Sequence, residues 1–257
     1  MTGIGKEIRK DILRIAKESG HGHIPTCFSI VEALLAVYDT IRHDPRNPSW
    51  EERDLFVLSK GHGALAHFCV LARRGYFGIE AVSAFGAFLS CFGCHADRFK
   101  IPGIEASTGS LGHGIGLAVG MALGLKIRKS DRRVVTLIGD GEANEGSVWE
   151  ALLVADNLKL HGLTVIYDDN RSHTRGLQIV NPAEKLKAFG CDVTEVDGHD
   201  ADALREALQE KGRRVRAIVA KTKKGFGCPT LIANQYEWHR KSPDDEEYRR
   251  LIEELDA

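Results

Sequence analysis

The sequence predicts an α/β fold, a mainly parallel sheet with helices on both faces, and three observations carry that reading. From residue 130 onward, short apolar runs rich in β-branched residues alternate with helix-period stretches, the order that builds right-handed β-α-β crossovers. The runs 134–138 and 163–167 are apolar without strict alternation, as strands covered on both faces are. Both lead into acidic, amide or glycine residues, which suit the carboxyl edge of an open sheet, where ligands bind.

The elements follow in order. Ile8, Ile12 and Ile15 recur at helical spacing and predict a helix over 5–18, and the same period predicts a second over 29–39. Leu55 to Leu58 reads as a strand over 55–58. Helical period returns over 63–74 and 113–128, and strands are predicted over 134–138, 163–167, 191–196 and 216–220. Between the second and third strands, Val148, Leu152, Ala155 and Leu158 share one helical face and are read as core. Asp44, Pro45, Arg46, Asn47 and Pro48 make a surface loop, and Gly225 to Pro229 reads as a mobile loop after the last strand. With no repeat, low-complexity segment or linker, residues 1–257 read as a single domain.

Composition narrows the class. A chain of 257 residues, 43% hydrophobic and of formal net charge −1, can bury one large core and shows no bulk charge that argues for nucleic acid. Its apolar runs are too short to span a bilayer, and Met1 to Lys6 begins a helix-like stretch without a signal-peptide apolar region, so a cytoplasmic enzyme is expected. Six cysteines at irregular positions are expected as reduced thiols. Cys91, Cys94 and His95 match the spacing of a covalent haem attachment, but such attachment goes with export. Zinc would need a second pair of ligands at the right spacing, so the two thiols are read as incidental. Gly112 to Gly116 lacks the spacing and the acidic partner of a dinucleotide loop.

The chemistry concentrates after the second and third strands. Gly139, Asp140 and Gly141 open a segment running through Asn144, Glu145 and Gly146, and Asp168, Asp169 and Asn170 follow about 28 residues after Gly141. Asp140 and Asn170 then sit at neighbouring strand ends and can present a carboxylate and an amide oxygen to one hard cation. Magnesium takes such donors at about 2.0–2.1 Å and completes its shell with phosphate and water. Glycines at 139 and 141 let the chain turn and bring backbone N–H groups against a phosphate, beside the positive end of the next helix.

The segment from Gly139 to Asn170, with Ser147 to Ala151 between, resembles the thiamine diphosphate motif of transketolases. Ser19 to His21, Phe56 to His62, Gly103 to Gly112 and Trp238 to Lys241 also resemble segments of that family, in the family's order. The resemblance covers nearly the whole chain but only the diphosphate-binding part of a transketolase. It implies the N-terminal subunit of a split enzyme, in which a separate subunit carries the pyrimidine-binding and C-terminal domains and the assembly holds two copies of each chain.

What the resemblance implies for residues is specific. Thiamine diphosphate and magnesium (or calcium or manganese) are the implied cofactors, with Asp140, Asn170 and the Ser172 carbonyl as metal ligands. Gly139, Gly141 and His239 would meet the diphosphate, and the backbone at Gly109 and Leu111 the aminopyrimidine. His21, His62, His95 and His239 fall where family histidines move protons on the sugar oxygens, a kind of step typically worth 10²–10⁴-fold. Glu145 resembles a family glutamate that meets a partner acid across the dimer, and a helix-start carboxylate is the equal alternative. His23 and His173 are candidates by proximity, and the side-chain role of His113 stays open. Arg98 and Lys100 either meet a substrate anion or simply face water. His43, His67, His161 and His199 are given no chemistry.

The implied reaction moves a two-carbon glycolaldehyde unit from a ketose donor to an aldose acceptor, on sugar or sugar-phosphate substrates. The glutamate that activates the cofactor belongs to the missing domain, so the chain is expected to be inactive alone. The stretch Arg171 to Gly176 is more polar than in central-metabolism relatives, which leaves the sugars open. Two rivals remain: a related thiamine diphosphate component that uses pyruvate or a 2-oxo acid, and a catalytically silent cofactor-binding subunit. The four histidines favour ketose chemistry, and Asp140 and Asn170 argue against a silent subunit.

Overall fold

Leu55–Leu58 (β1), Val134–Gly139 (β2), Leu163–Asp169 (β3), Cys191–Asp197 (β4) and Val215–Lys221 (β5) form one five-stranded sheet in the order β1-β2-β3-β5-β4, every pair parallel. The computed structural model describes residues 3–257; Met1 and Thr2, the start of the expected helix-like stretch, lie outside the described residues. The sequence located all five strands, and β2 and β3 run one and two residues further than expected, so Gly139, Asp168 and Asp169 belong to the strands.

Side chains alternate across a strand, so each strand serves two cores. Phe56, Leu58, Val135, Leu137, Ile166, Ile218 and Ala220 point into a cluster built with Gly3–Ser19 (α1), Ile24–Ser29 (α2), Val31–Thr40 (α3) and Ala64–Arg73 (α4). Ile79–Val82 (α5) borders this cluster. Val57, Val134, Ile138, Val165, Tyr167, Ala217 and Val219 point the other way, against Gly114–Ile127 (α6), Gly146–Asn157 (α7) and Pro182–Ala188 (α8). Ala201–Gln209 (α9), Pro229–Ala233 (α10) and Asp245–Asp256 (α11) add Leu204, Leu231 and Leu251 to the first core. The result is the expected layer of parallel strands between two layers of helices. In α7, Val148, Leu152 and Ala155 are buried and Leu158 is partly buried, as read.

Two expectations change. The helix expected over 29–39 is α3, and a short helix not expected from the sequence, α2, precedes it and meets it at Ile30; Pro25, with no N–H to donate, is tolerated in the first turn of α2. The loop from Gly225 to Pro229 is packed rather than mobile. Gly225 N donates to Pro25 O at 2.9 Å, the Phe226 ring stacks on His199 with centroids 3.6 Å apart, and Cys228 is buried. The anchor beneath Phe226 is a buried pair, Arg9 with Glu32. Arg9 donates from both terminal nitrogens to the two carboxylate oxygens at 2.7 Å, and also to Phe28 O at 2.7 Å. Burial alone would raise the Glu32 carboxyl, but the hydrogen bonds from Arg9 and His199 outweigh it and bring it down to about 2.

Candidate functional site

At the carboxyl ends of β2 and β3 the chain encloses a cleft of about 250 Å³. Its lining brings together His23, His62, His95, His239, Gly109, Leu111, Gly139, Asp140, Gly141, Asn170 and Ser172, all named from the sequence, with Thr26, Lys60, Glu142 and Arg240. Position along the strands explains the grouping. β2 and β3 are paired in register from Val134 opposite Leu163 to Gly139 opposite Asp168, so residues 140 and 170 leave the sheet side by side.

Asp140 and Asn170 converge. Ser172 N donates to Asp140 Oδ2 at 2.7 Å and to Asn170 Oδ1 at 3.0 Å, so the two oxygens flank one amide. Asp140 Oδ1 accepts from Gly141 N at 2.7 Å and from Ser172 Oγ at 2.5 Å. His173, nearly buried, places Nδ1 2.7 Å from Asp140 Oδ2. The orientation of Asn170 is fixed from behind: its Nδ2 donates to Asp168 Oδ2 at 2.8 Å, and an ionised carboxylate only accepts, so the amide oxygen must face Asp140. A carboxylate, an amide oxygen and the nearby Ser172 carbonyl are the hard donors that magnesium takes. The residues present therefore fit a magnesium ion beside a diphosphate.

The glycines act differently from expectation. Gly141 has an ordinary helical backbone, with φ −65° and ψ −38°. An added Cβ at Gly139 would meet only the Lys60 side chain, at 3.5 Å, and one at Gly141 only Ser172 Oγ, at 3.6 Å, both normal contacts. Nothing in the chain's own packing demands glycine there; its absent Cβ leaves room in the cleft. Gly61 is a position where packing does demand it, since a Cβ would stand 2.7 Å from the backbone N of Gly109. That contact seats the Gly109 to Leu111 loop on the cleft wall.

Glu142 organises the walls, and the sequence reading passed over it. This buried carboxylate accepts from Ser59 Oγ at 2.6 Å, Gly112 N at 2.9 Å and Gly139 N at 3.2 Å, tying three loops together. Burial raises its carboxyl, against the pull of those hydrogen bonds. Lys60, to which the sequence alone assigns no role, pairs with Asp168 inside the protein. Lys224 lies with Nζ 3.2 Å from His239 Nδ1. Burial first, and then the Lys60 charge, lower its ammonium to about 8. The signal that could have found both lysines is their place beside apolar strand ends, where an unpaired cation is costly.

The histidines form a ring of neutral imidazoles. His23 lies 5.3 Å from His62 and 5.2 Å from His239, centroid to centroid. Burial is the main cause that lowers each, with Lys60 next for His62, His239 for His23 and Lys224 for His239. They come down to about 2 for His62 and about 4 for His23 and His239. Near neutral pH each therefore has one ring N–H to donate and one bare nitrogen to accept. His21 stands apart from the lining, stacked on Phe85 with centroids 4.9 Å apart and Nδ1 3.4 Å from Cys94 Sγ. Glu145 is exposed at the start of α7, outside the cleft lining, and its side chain makes no capping hydrogen bond. His199, given no chemistry, is the packing residue against Glu32 and Phe226.

Comparison with known proteins agrees with the geometry. Residues 5–255 match the family model described as the thiamine diphosphate binding domain of transketolase. An apulose-4-phosphate transketolase subunit of Actinobacillus succinogenes is 36% identical over 97% of this chain and 94% of its own. The 6-deoxy-6-sulfo-D-fructose transketolase subunit SqwG of a Clostridium species is likewise 36% identical over 97% of this chain and 94% of its own. Among solved structures, the Campylobacter jejuni transketolase superposes with a TM-score of 0.88 at 26% identity, covering 100% of this chain but 43% of that one. The Leishmania mexicana transketolase gives 0.87 at 29% identity, over 98% and 41% of the two chains. The chain thus spans about two fifths of the solved relatives and nearly all of the curated subunits.

Proposed function

Because the chain belongs to the transketolase thiamine diphosphate-binding family, we propose that it is one subunit of a two-subunit transketolase, transferring a two-carbon ketol unit from a ketose to an aldose. The observation that carries this reading is the convergence of Asp140 Oδ2 and Asn170 Oδ1 on one amide, at the floor of a cleft ringed by His23, His62, His95 and His239. The names of the two curated relatives given above, both transketolase subunits, support a partner chain, which carries the pyrimidine-binding half in an assembly of two copies of each. The names of the same relatives support sugar or sugar-phosphate substrates.

Asp140, Asn170 and the Ser172 carbonyl would hold magnesium, and the diphosphate would lie against Gly139 and Gly141, where no side chain fills the cleft, with Lys60 and His239 in the lining and Lys224 behind His239. When bound, the cofactor supplies the nucleophilic carbon that breaks and remakes a carbon–carbon bond. The chain's own residues do the rest. Gly109 and Leu111 seat the aminopyrimidine through backbone groups, and the neutral rings of His62 and His239 donate to and accept from sugar hydroxyls, with His95 in the same lining and His21 set apart from it. Neutral imidazoles suit this role, since one ring can give a proton while its neighbour takes one. Glu145 is exposed at the start of α7, which supports a contact with a partner acid across the assembly.

The experiment is isolation of the tagged chain with its partner, in magnesium and thiamine diphosphate, followed by native mass spectrometry and a ketol-transfer assay. Two plus two chains, two cofactors and transfer only by the complex are expected. Transfer by this chain alone, or consumption of pyruvate in place of a ketose, overturns the proposal.

A further inference from the structure

The six cysteines divide into two kinds. Cys27, Cys69, Cys191 and Cys228 are buried, and burial raises all four thiols, Cys27 to about 11 and Cys191 and Cys228 to about 12. Such thiols are poor nucleophiles at neutral pH. Cys91 and Cys94 are the exposed pair, three residues apart in the irregular segment between α5 and α6.

That segment is built to hold the pair in one place. Phe92, between the two cysteines, is buried against Phe68 and Phe77 with centroids 5.3 and 5.1 Å away, and its carbonyl accepts from Gly86 N at 2.7 Å. Gly93 N donates to Cys91 O at 3.2 Å, a tight reversal that turns the chain between the thiols. Gly86 has φ +71°, and a Cβ there would collide with the His21 ring, so glycine lets that ring lie against the loop. Stacked on Phe85, His21 then presents Nδ1 3.4 Å from Cys94 Sγ. A thiol within reach of an imidazole, with a second exposed thiol three residues away, is the arrangement of an attacking and a resolving cysteine.

We propose that Cys91 and Cys94 are a reversible dithiol–disulfide pair, with His21 taking the Cys94 proton, and that its redox state sets the position of His95. The oxidant is a low-molecular-weight disulfide such as oxidised glutathione. The Cys94 thiolate attacks one sulfur of that disulfide, forming a mixed disulfide and releasing one glutathione thiolate. The Cys91 thiolate then attacks Cys94 Sγ, forming the internal bond and releasing the second glutathione thiolate. The two protons lost by the protein end on the two glutathiones, so the protein is oxidised by two electrons and one glutathione disulfide is reduced to two thiols. Bridging draws Cys94 Sγ away from His21, and the next residue is His95, which lines the cleft. The pair is independent of the reaction proposed above and is read without it.

The test treats the purified full chain with oxidised glutathione, alkylates the remaining thiols with iodoacetamide and maps them by peptide mass spectrometry. An internal Cys91–Cys94 bond, lighter by two hydrogens and reversed by dithiothreitol, is expected, together with a shifted ring resonance for His95 in the histidine NMR spectrum, assigned with His95→Asn. In Cys91→Ser the reaction should stop at a mixed disulfide on Cys94. In His21→Asn the alkylation rate of Cys94 should fall several-fold while that of Cys91 holds. Glutathione adducts without an internal bond in the native chain, or equal Cys94 rates with and without His21, overturn the pair. An unmoved His95 resonance in the bridged protein overturns the coupling.

Discussion

Lys60 Nζ lies 2.6 Å from Asp168 Oδ2, and the two side chains are only 1% and 2% exposed. The same carboxylate accepts from Ser29 Oγ and Asn170 Nδ2, each at 2.8 Å, and from Thr222 Oγ1. One buried charge thus holds a cation against the cleft and sets which way the Asn170 amide faces. Asp168→Ala would leave Lys60 buried without its counter-charge, so a loss of about 3–5 kcal/mol is predicted. Denaturant unfolding checks it, and a loss below about 1 kcal/mol would show that water or another acceptor replaces the carboxylate.

The convergence of Asp140 and Asn170 predicts that magnesium and thiamine diphosphate protect the chain against unfolding only together. At about a hundred-fold excess of ligand over Kd, protection should be about 2.7 kcal/mol. Asp140→Ala should abolish the protection while keeping the unliganded fold, as judged by circular dichroism. Full protection of that variant would remove Asp140 from the metal site.

The neutral histidines predict acid sensitivity, and the sign is fixed by where the protons go. His23 and His239 are lowered to about 4 in the folded chain, whereas unfolded histidine titrates near 6.5. Between those values the unfolded state binds more protons, so stability must fall as pH drops from about 6.5 towards 4. Stability in urea measured at pH 7 and pH 5 should show that fall, and His23→Asn should make it shallower. An equal slope in the variant would mean that the His23 ring is charged in the folded protein.

Glu142 predicts a structural failure that looks like a binding defect. Glu142→Gln puts an amide where three donors point, and leaving buried donors unsatisfied costs about 1–3 kcal/mol. Hydrogen exchange should quicken at Gly112 and Gly139, whose N–H groups the carboxylate accepts. Unchanged protection at both amides would show that Glu142 is not what holds the loops.

The strands and the cofactor floor were readable because local chemistry decides them. Continuous apolar runs such as 163–167 have no other place than a covered sheet, and the register of β2 with β3 brings residues 140 and 170 together without help from distant contacts. Glu142 and Lys60 were harder because their importance comes from partners far away in sequence: Ser59 and Gly112 for one, Asp168 for the other. The loop at Gly225 was misread as mobile for a related reason. Glycine and proline suggest freedom locally, but Phe226 is clamped by His199 and by Arg9 from near the start of the chain. The ring of lowered histidines depends on burial and neighbouring cations, which no spacing in the sequence announces.

The strand order also dictates a sequence of events at the ribosome. β4 pairs with β5 alone among the described strands, and β5 is the strand that joins it to β3. As the chain emerges, β1, β2 and β3 can assemble from residues already made, but β4 has no neighbour until Val215–Lys221 appears behind it. A ribosome stalled between Asp197 and Val215 would therefore carry a three-stranded sheet with a fourth strand waiting, and the outer edge of β3 open to whatever reached it first.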